Sequence, residues 1–161
     1  MSEWWEGIKA DFVLNFIKED RWMLLATGLG NTLKITFVAL IIGILLGSIV
    51  ATVRSTYDKN GADMSKRNKG GYVVLSIFNI ICKLYLTVIR GTPMVVQLLI
   101  MYFIIFASSK NGLMVAMIAF GINSGAYVAE IIRGGIMSID NGQFEAGRSL
   151  GFNYGQTMIY I

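Results

Sequence analysis

The chain contains no histidine, one cysteine and one proline in 161 residues. The lack of histidine excludes histidine-ligated metal sites, Ser–His or Cys–His nucleophile pairs and an imidazole that titrates near neutral pH. The single cysteine, Cys82, excludes an internal disulfide, and its apolar surroundings are typical of a small core residue. These absences argue against an enzyme, and we assign no residue a catalytic or metal-binding role.

Charged residues are also scarce, at 15% of the chain against 55% for hydrophobic residues. Soluble domains carry about 25% charged residues, so this balance and the mean hydropathy of +0.60 indicate an all-α, polytopic membrane protein. The net charge of +4 is modest. Because the basic residues lie beside apolar runs, contact with anionic lipid is favoured and no nucleic-acid partner is expected.

Three apolar stretches are interpreted as transmembrane helices, at 33–53, 92–107 and 113–132. The first carries one charge, Lys34, at its start and supplies the roughly 20 apolar residues that a crossing needs. Small residues recur every four positions in the first and third stretches: Ala39, Gly43, Gly47 and Ala51, then Gly121, Gly125 and Ala129. This spacing lets helix backbones approach closely in lipid.

The second crossing is part of a longer apolar stretch, 72–107, which would exceed roughly 50 Å as a straight helix. Pro93 has no amide hydrogen, and Gly91 loosens the chain just before it. The predicted conformational kink comprises four residues: Arg90, Gly91, Thr92 and Pro93. We therefore expect 72–90 to run along the cytoplasmic surface and 92–107 to cross.

The polar segment 54–71 is expected to be a loop between the first two crossings. Its basic residues outnumber its aspartates: Arg54, Lys59, Lys66, Arg67 and Lys69 against Asp58 and Asp63. Basic loops next to membrane helices favour the cytoplasmic side. The segment and the tail 140–161 are therefore placed inside, and the amino terminus and the turn 108–112 are placed outside.

The amino-terminal segment 1–27 precedes the first crossing. Four apolar residues in it have helical spacing: Trp5, Ile8, Phe12 and Phe16. Such a helix fits the membrane interface, with Trp4 and Trp5 at headgroup level. A short helix that caps the bundle explains the pattern equally well, and both interpretations stay open.

The tail carries the most informative motif, GQFEAGRSLGFNYGQTMIYI at 142–161. The motif consists of Glu145, Ala146 and Gly147, then Gly151, then Ile161. This spacing closely resembles the EAA loop, the cytoplasmic coupling loop of bacterial ABC importer permeases, although Gly147 replaces the alanine usual in that family. The resemblance implies that Glu145 orients or anchors the loop and that Gly151 permits a sharp turn.

Other segments resemble the permeases for polar amino acids, the His/Glu/Gln/Arg/opine group. They are RGTPMVVQ at 90–97, AYVAEIIRGGI at 126–136 and GLGNTL at 28–33. The resemblance implies an ABC type I importer permease fold with five crossings, of which three are present in 1–161. In that family a Leu-Pro pair follows one residue after the position of Ile161, so we expect a C-terminally truncated, incomplete permease domain.

The resemblance implies a bacterial inner-membrane subunit that imports polar amino acids and is not itself an enzyme. The nearest nucleotide motif, Gly142 to Ser149, has Arg148 where a P-loop needs lysine, and it follows no core strand. No cofactor is therefore expected on this chain, and ATP and Mg are expected on a separate cytoplasmic ATP-binding subunit. The other expected partners are an extracytoplasmic amino-acid-binding protein and a second permease subunit, identical or different.

Five polar residues are candidate pathway or packing residues. Three lie inside the crossings and two at the cytoplasmic end of the third: Gln97, Asn123 and Ser124, then Glu130 and Arg133. Glu130 and Arg133 are three apart and can pair on one helix face, yet ionisable residues in membranes commonly mark function. The three uncharged residues can hydrogen-bond between helices or contact substrate. Both interpretations stay open for all five.

Two alternatives to transport belong to other classes of protein. Three crossings are few for a pathway, so a membrane scaffold or regulatory remnant that binds a partner only through its cytoplasmic tail is the main alternative. A membrane enzyme is disfavoured, because Glu130 stands alone without a second carboxylate in the crossings.

Overall fold

The computed structural model describes residues 2–160, apart from the side chains of Ser2, Glu3 and Glu19. The described chain is helical and contains no strand, which confirms the all-α prediction. The α-helices are α1 (Ser2–Phe12), α2 (Arg21–Arg67), α3 (Lys69–Gly91), α4 (Met94–Ile100), α5 (Gly112–Met137), α6 (Asn141–Ser149) and α7 (Tyr154–Tyr160). A π-helical stretch, Met101–Ile105, extends α4, and Val13–Ile17 with Lys18–Asp20 links α1 to α2. Ile161 of the tail motif lies outside the described residues.

Three helices, α2, α3 and α5, are long and apolar enough to cross a membrane. The sequence also predicts three crossings, but the bounds of these three helices differ from the predicted ones. The helical stretch Met94–Ile105 falls short of the roughly 20 residues that a crossing needs, whereas α3 meets that length. The assignment of the second crossing to 92–107 stays a prediction, as does the surface position of 72–90.

The predicted loop 54–71 is wrong, because α2 continues without a break to Arg67. Only Asn68 separates α2 from α3, and its side-chain oxygen accepts a hydrogen bond from the Gly71 amide at 3.0 Å. The polar composition of the segment suggested a loop. Tertiary packing stabilises a helix there, since Gly61 is buried and the Tyr57 ring stacks on the Tyr72 ring with centroids 6.1 Å apart.

The helices α2 and α5 pack side by side and run in the same direction. Gly47 of α2 faces Val128 of α5, and a Cβ on Gly47 would lie 2.7 Å from the Val128 Cβ. Likewise, a Cβ on Gly121 would lie 2.7 Å from the Ile42 Cβ. The small-residue stripe therefore serves the close helix approach that its spacing predicts.

The helix α3 runs antiparallel to α2 and completes the bundle. Its Tyr72 lies beside Tyr57, near the carboxyl end of α2. Further along α3, Cys82 and Leu86 join a buried core: Val50 of α2 together with Ala126 and Ala129 of α5. Cys82 is thus a buried core residue, as expected.

Candidate functional site

The break between α3 and α4 lies at Thr92 and Pro93, within the predicted kink. Both residues have extended backbone conformations, with ψ of 145° and 137°. Gln97 satisfies a carbonyl that the break releases: its Nε2 donates to the Ile89 carbonyl at 2.7 Å, and it also donates to Thr92 Oγ1 at 2.7 Å. The break is therefore held by side-chain hydrogen bonds, and its flexing during function stays a prediction.

The same Gln97 connects the break to α5. Its Oε1 accepts a hydrogen bond from Asn123 Nδ2 at 3.1 Å. The next residue, Ser124, donates from its Oγ to the Ala39 carbonyl of α2 at 3.2 Å. Gln97, Asn123 and Ser124 thus hydrogen-bond between helices. This is the packing role, one of the two interpretations that the sequence left open for them.

Asn123 and Ser124 also border a cavity of about 530 Å³. Thr32, Thr36 and Phe120 contribute to its wall. The hydroxyls of Thr32 and Thr36 donate to carbonyls one turn earlier on α2, at 3.0 and 2.9 Å. A few polar groups in a mostly apolar wall are typical of small-molecule sites, so a pathway role for Asn123 and Ser124 is compatible with their packing role.

Charged residues of three helices meet around Glu130. The Glu130 carboxylate accepts a hydrogen bond from Arg133 Nη2 at 2.7 Å and lies 3.4 Å from Arg90 Nη1. Arg133 Nη1 also donates to Asp58 Oδ2 of α2 at 3.1 Å. The predicted pairing of Glu130 with Arg133 is present, and it extends to α2 and α3. Charge-assisted hydrogen bonds of this kind fix helix positions relative to one another.

A polar cavity of about 560 Å³ opens beside this charged cluster. Its wall includes the cations Arg54, Lys83 and Arg90 and one carboxylate, Glu130. Sequence reasoning missed Arg54 and Asp58 because it placed both in a loop. Their spacing of four residues, read as a helix, would have put them on one face. The surplus of positive charge makes this cavity suited to an anionic group.

The tail forms a helix, a glycine turn and a second helix. Asp140 starts α6 by accepting a hydrogen bond from the Gly142 amide at 2.6 Å. At its end, Gly151 has a φ of 84°, the Gly151 amide donates to the Arg148 carbonyl at 2.9 Å, and the Phe152 amide donates to the Gly147 carbonyl at 3.0 Å. This pattern is a Schellman motif, in which glycine is favoured because its backbone tolerates the left-handed region.

The second helix, α7, begins with a reciprocal cap. The Gln156 amide donates to Asn153 Oδ1 at 2.9 Å, and the Asn153 amide donates to Gln156 Oε1 at 2.9 Å. Two otherwise unpaired donors are thereby satisfied, as in a capping box. Sequence reasoning identified the glycine turn but missed this cap, whose signal is the Asn–x–x–Gln spacing.

One side of the α6–α7 segment is anchored and the other is exposed. Phe144, Gly147 and Thr157 are buried, and the Phe144 ring stacks on the Tyr154 ring with centroids 5.9 Å apart. Burial raises the pKa of the Tyr154 hydroxyl above its ordinary value, so this stack is uncharged near neutral pH.

The exposed side includes Glu145, Ala146 and Gly151. It also includes large apolar side chains, with Leu150 73% and Ile159 79% exposed. The predicted coupling residues are therefore divided between the two sides, because Gly147 is buried whereas Glu145, Ala146 and Gly151 are exposed. This division suits a segment whose buried side is held in place and whose exposed side is free to contact another molecule.

Most of the chain matches one protein family. The family of binding-protein-dependent transport system inner membrane components matches residues 43–161. The chain belongs to this family. The match covers Gly43, Gly47 and Ala51 of the α2 stripe, the charged cluster and the whole tail. With three helices long enough to cross, the chain is a multi-pass protein of the bacterial inner membrane.

Curated relatives share this assignment. The L-cystine transport system permease protein TcyB of Bacillus subtilis is 32% identical over 149 residues, which is 91% of this chain and 56% of that protein. The arginine transport system permease protein ArtQ of the same organism is 38% identical over 135 residues, 81% of this chain and 53% of that protein. A putative glutamine transport system permease protein, GlnP of Rickettsia typhi, is 39% identical over 122 residues, which is 74% of this chain and 48% of that protein.

A solved structure agrees with the predicted fold. It is the crystal structure of an amino acid ABC transporter with histidines, and the two chains are 37% identical with a TM-score of 0.62. The match covers 80% of this chain and 53% of that chain, which confirms the ABC importer permease fold. The chain spans about half the length of the curated relatives it matches.

Proposed function

We propose that the chain is the permease subunit of an ATP-driven importer for polar amino acids. The observation that carries the proposal is the α6–glycine turn–α7 segment, which is anchored on one side and exposed on the other. Family membership supports the class of transport, and the relatives named for cystine, glutamine and arginine support the class of substrate.

In this proposal the exposed side of α6 and α7 docks into a groove on a cytoplasmic ATP-binding subunit, which is a separate chain and holds ATP and Mg. A short helix with apolar anchors is a common way for one protein to fill a groove on another. Glu145 and Ala146 face the partner, Gly147 lies on the buried side of α6, and Gly151 makes the turn. Closure of the ATP-binding subunits pushes this segment.

Translocation requires the rest of the assembly. A second permease subunit pairs with this one, and an extracytoplasmic binding protein delivers the amino acid. With the amino terminus outside, α2 and α5 lead inward and the α6–α7 segment lies in the cytoplasm. The surplus of cations around Arg54, Lys83 and Arg90 suits the carboxylate that every amino acid carries, and the break at Thr92 and Pro93 lets the pathway change shape.

The test is amino-acid uptake and ATP hydrolysis in membrane vesicles that contain the encoded permease with its ATP-binding and amino-acid-binding subunits. We expect ATP-dependent accumulation of a polar amino acid. The variant Gly151→Val should insert normally but hydrolyse ATP without uptake, because valine is strained at a φ of 84°. Gly151→Asn is the matched control, since asparagine tolerates this conformation better, and it should retain most of the uptake.

Absence of ATP-dependent accumulation by the unaltered protein would overturn the proposal and favour the scaffold alternative. Equal uptake by Gly151→Val and the unaltered protein would leave transport in place but remove the glycine turn from the coupling mechanism.

A further inference from the structure

The cytoplasmic part of α2, Arg54–Arg67, is the platform on which the α6–α7 segment lies. It extends the helix by roughly 20 Å beyond the apolar run, through residues with little helix propensity of their own. Its structure therefore depends on tertiary contacts. Some of these contacts go to α3 through Tyr57, and others go to α6 and the end of α5 through Lys59 and Asp63.

Lys59 is the residue of this platform that contacts the most elements through one group. Its Nζ donates to the Ile139 carbonyl, just beyond α5, at 3.3 Å. The same Nζ lies 3.8 Å from the centroid of the Phe144 ring in α6, and that ring stacks on Tyr154 of α7. A cation is favoured both near the carboxyl end of a helix and over an aromatic face.

The ion pair of Asp63 with Arg148, which also joins the platform to the segment, is weaker. Asp63 and Arg148 approach to 3.6 Å, and both side chains are 59% exposed. Exposed ion pairs contribute little because water screens them and their long side chains lose entropy. Phe144, in contrast, is only 9% exposed, so the contact with Lys59 is better shielded from water.

The helix that carries Lys59 is locked to α5 further along. Gly47 lies three turns before Lys59, roughly 18 Å along the helix axis, and its backbone contacts Val128 and Ala129 without room for a Cβ. A close-packed interface of this kind is hard to compress and moves as a unit. A displacement applied at Lys59 therefore reaches the α2–α5 interface.

We propose that Lys59 is a positioning residue that seats the α6–α7 segment on α2 and passes the movement of the segment to α2. The proposal rests on the proposed function only for the source of that movement, which is closure of the ATP-binding subunit. The seating itself is a property of this chain and can be measured without transport.

The experiment compares Lys59→Met, which removes the charge but keeps an unbranched side chain, with Lys59→Arg, which keeps a cation. Lys66→Met is the matched control, because Lys66 is an exposed lysine of the same helix. The first measurement is hydrogen exchange of the α6 and α7 amides by mass spectrometry, with the full permease in lipid nanodiscs. We expect exchange to be about fivefold faster in Lys59→Met, which corresponds to the loss of one shielded cation–π contact, and unchanged in Lys66→Met.

The second measurement is the number of ATP molecules hydrolysed per amino acid imported, in vesicles with the partner subunits. We expect this ratio to rise about fivefold in Lys59→Met and to return to within about twofold of the unaltered protein in Lys59→Arg, whose guanidinium can make both contacts. Phe144→Leu should change the ratio in the same direction, and the double variant Lys59→Met/Phe144→Leu should show less than the sum of the two single effects, because both changes remove the same cation–π contact.

Equal exchange in Lys59→Met and Lys66→Met would overturn the seating role, whether or not the protein transports. Faster exchange with an unchanged ATP ratio would overturn the transmission role, because Lys59 would then only stabilise the fold. If the unaltered permease takes up no amino acid, the proposed function fails, and the exchange measurement still decides the seating role.

Discussion

The two halves of α2 contact the molecule in different ways. In the apolar half, Gly43 and Gly47 bring the backbone against α5, and the Ala39 carbonyl accepts a hydrogen bond from Ser124 of α5. In the polar half, Asp58, Lys59 and Asp63 reach α5 and α6 through charge. One continuous helix thus joins a rigid, close-packed interface to a polar one whose contacts are individually weaker.

The difference follows from the solvent on each side. Lipid tails offer no hydrophobic advantage to helix association, so close packing and interhelical hydrogen bonds hold the apolar half together. Water competes for every charge in the polar half, so only contacts shielded from water contribute strongly. We therefore expect substitutions in the apolar half to cost stability and those in the polar half to affect mainly the position of the α6–α7 segment.

The largest expected effect is that of Gly47→Val. The added side chain would overlap Val128, and overpacking of this kind lowers the free energy of unfolding by about 1–3 kcal/mol. Thermal unfolding in detergent micelles measures it. Gly28→Val on the same helix is the control, since nothing lies within 4 Å of a Cβ there. Equal stability of the two variants would show that the glycine stripe does not set the approach of α2 and α5.

A smaller effect is expected from Glu130→Gln, which keeps the shape of the side chain but leaves Arg133 and Arg90 without their shared carboxylate. The side chain is 32% exposed, so water offsets part of the loss and we expect a cost of about 1 kcal/mol. The same unfolding measurement applies. Glu145→Gln, at an exposed position of α6, should leave stability unchanged, and a similar loss in both variants would contradict a specific role for Glu130.

The smallest effect is expected from Arg148→Ala, which removes the exposed pair with Asp63. The stability of the protein should stay within about 0.5 kcal/mol of the unaltered value. Arg133→Ala provides the comparison, because Arg133 bonds both Glu130 and Asp58 and should cost more. If Arg148→Ala were the more damaging of the two, the exposed pair would contribute more to stability than the bonds of Arg133 that join α5 to α2.

Periodicity and motifs predicted much of this molecule from local chemistry. The small residues of α2 and α5 recur at a helical period, so the face that they form could be recognised without coordinates. Gly151 could be assigned to a turn because few other residues accept its backbone conformation. The pairing of Glu130 with Arg133 followed from their separation of three residues on a helix.

Such patterns could not predict other features of the molecule. The segment that contains Tyr57 and Gly61 was predicted to be a loop because it is polar and lies between apolar stretches. Its helix exists because Tyr72, from the next element, packs beside it. Because the segment was predicted to be a loop, the roles of Asp58 and Lys59 were missed. Their partners Arg133, Ile139 and Phe144 are distant in the chain. The local composition of a segment contains no information about such neighbours.

The sequence by itself determined that the chain is an all-helical membrane protein, where its helix faces of small residues lie and which family it resembles, because hydropathy and short motifs are local properties. Only the tertiary structure decided that α2 runs on to Arg67, that Gln97 holds the break at Thr92 and Pro93, and that Lys59 lies on the Phe144 ring. The physical reason is that each of these depends on a contact between residues brought together by folding, and the energy of that contact outweighs the local preference of the chain.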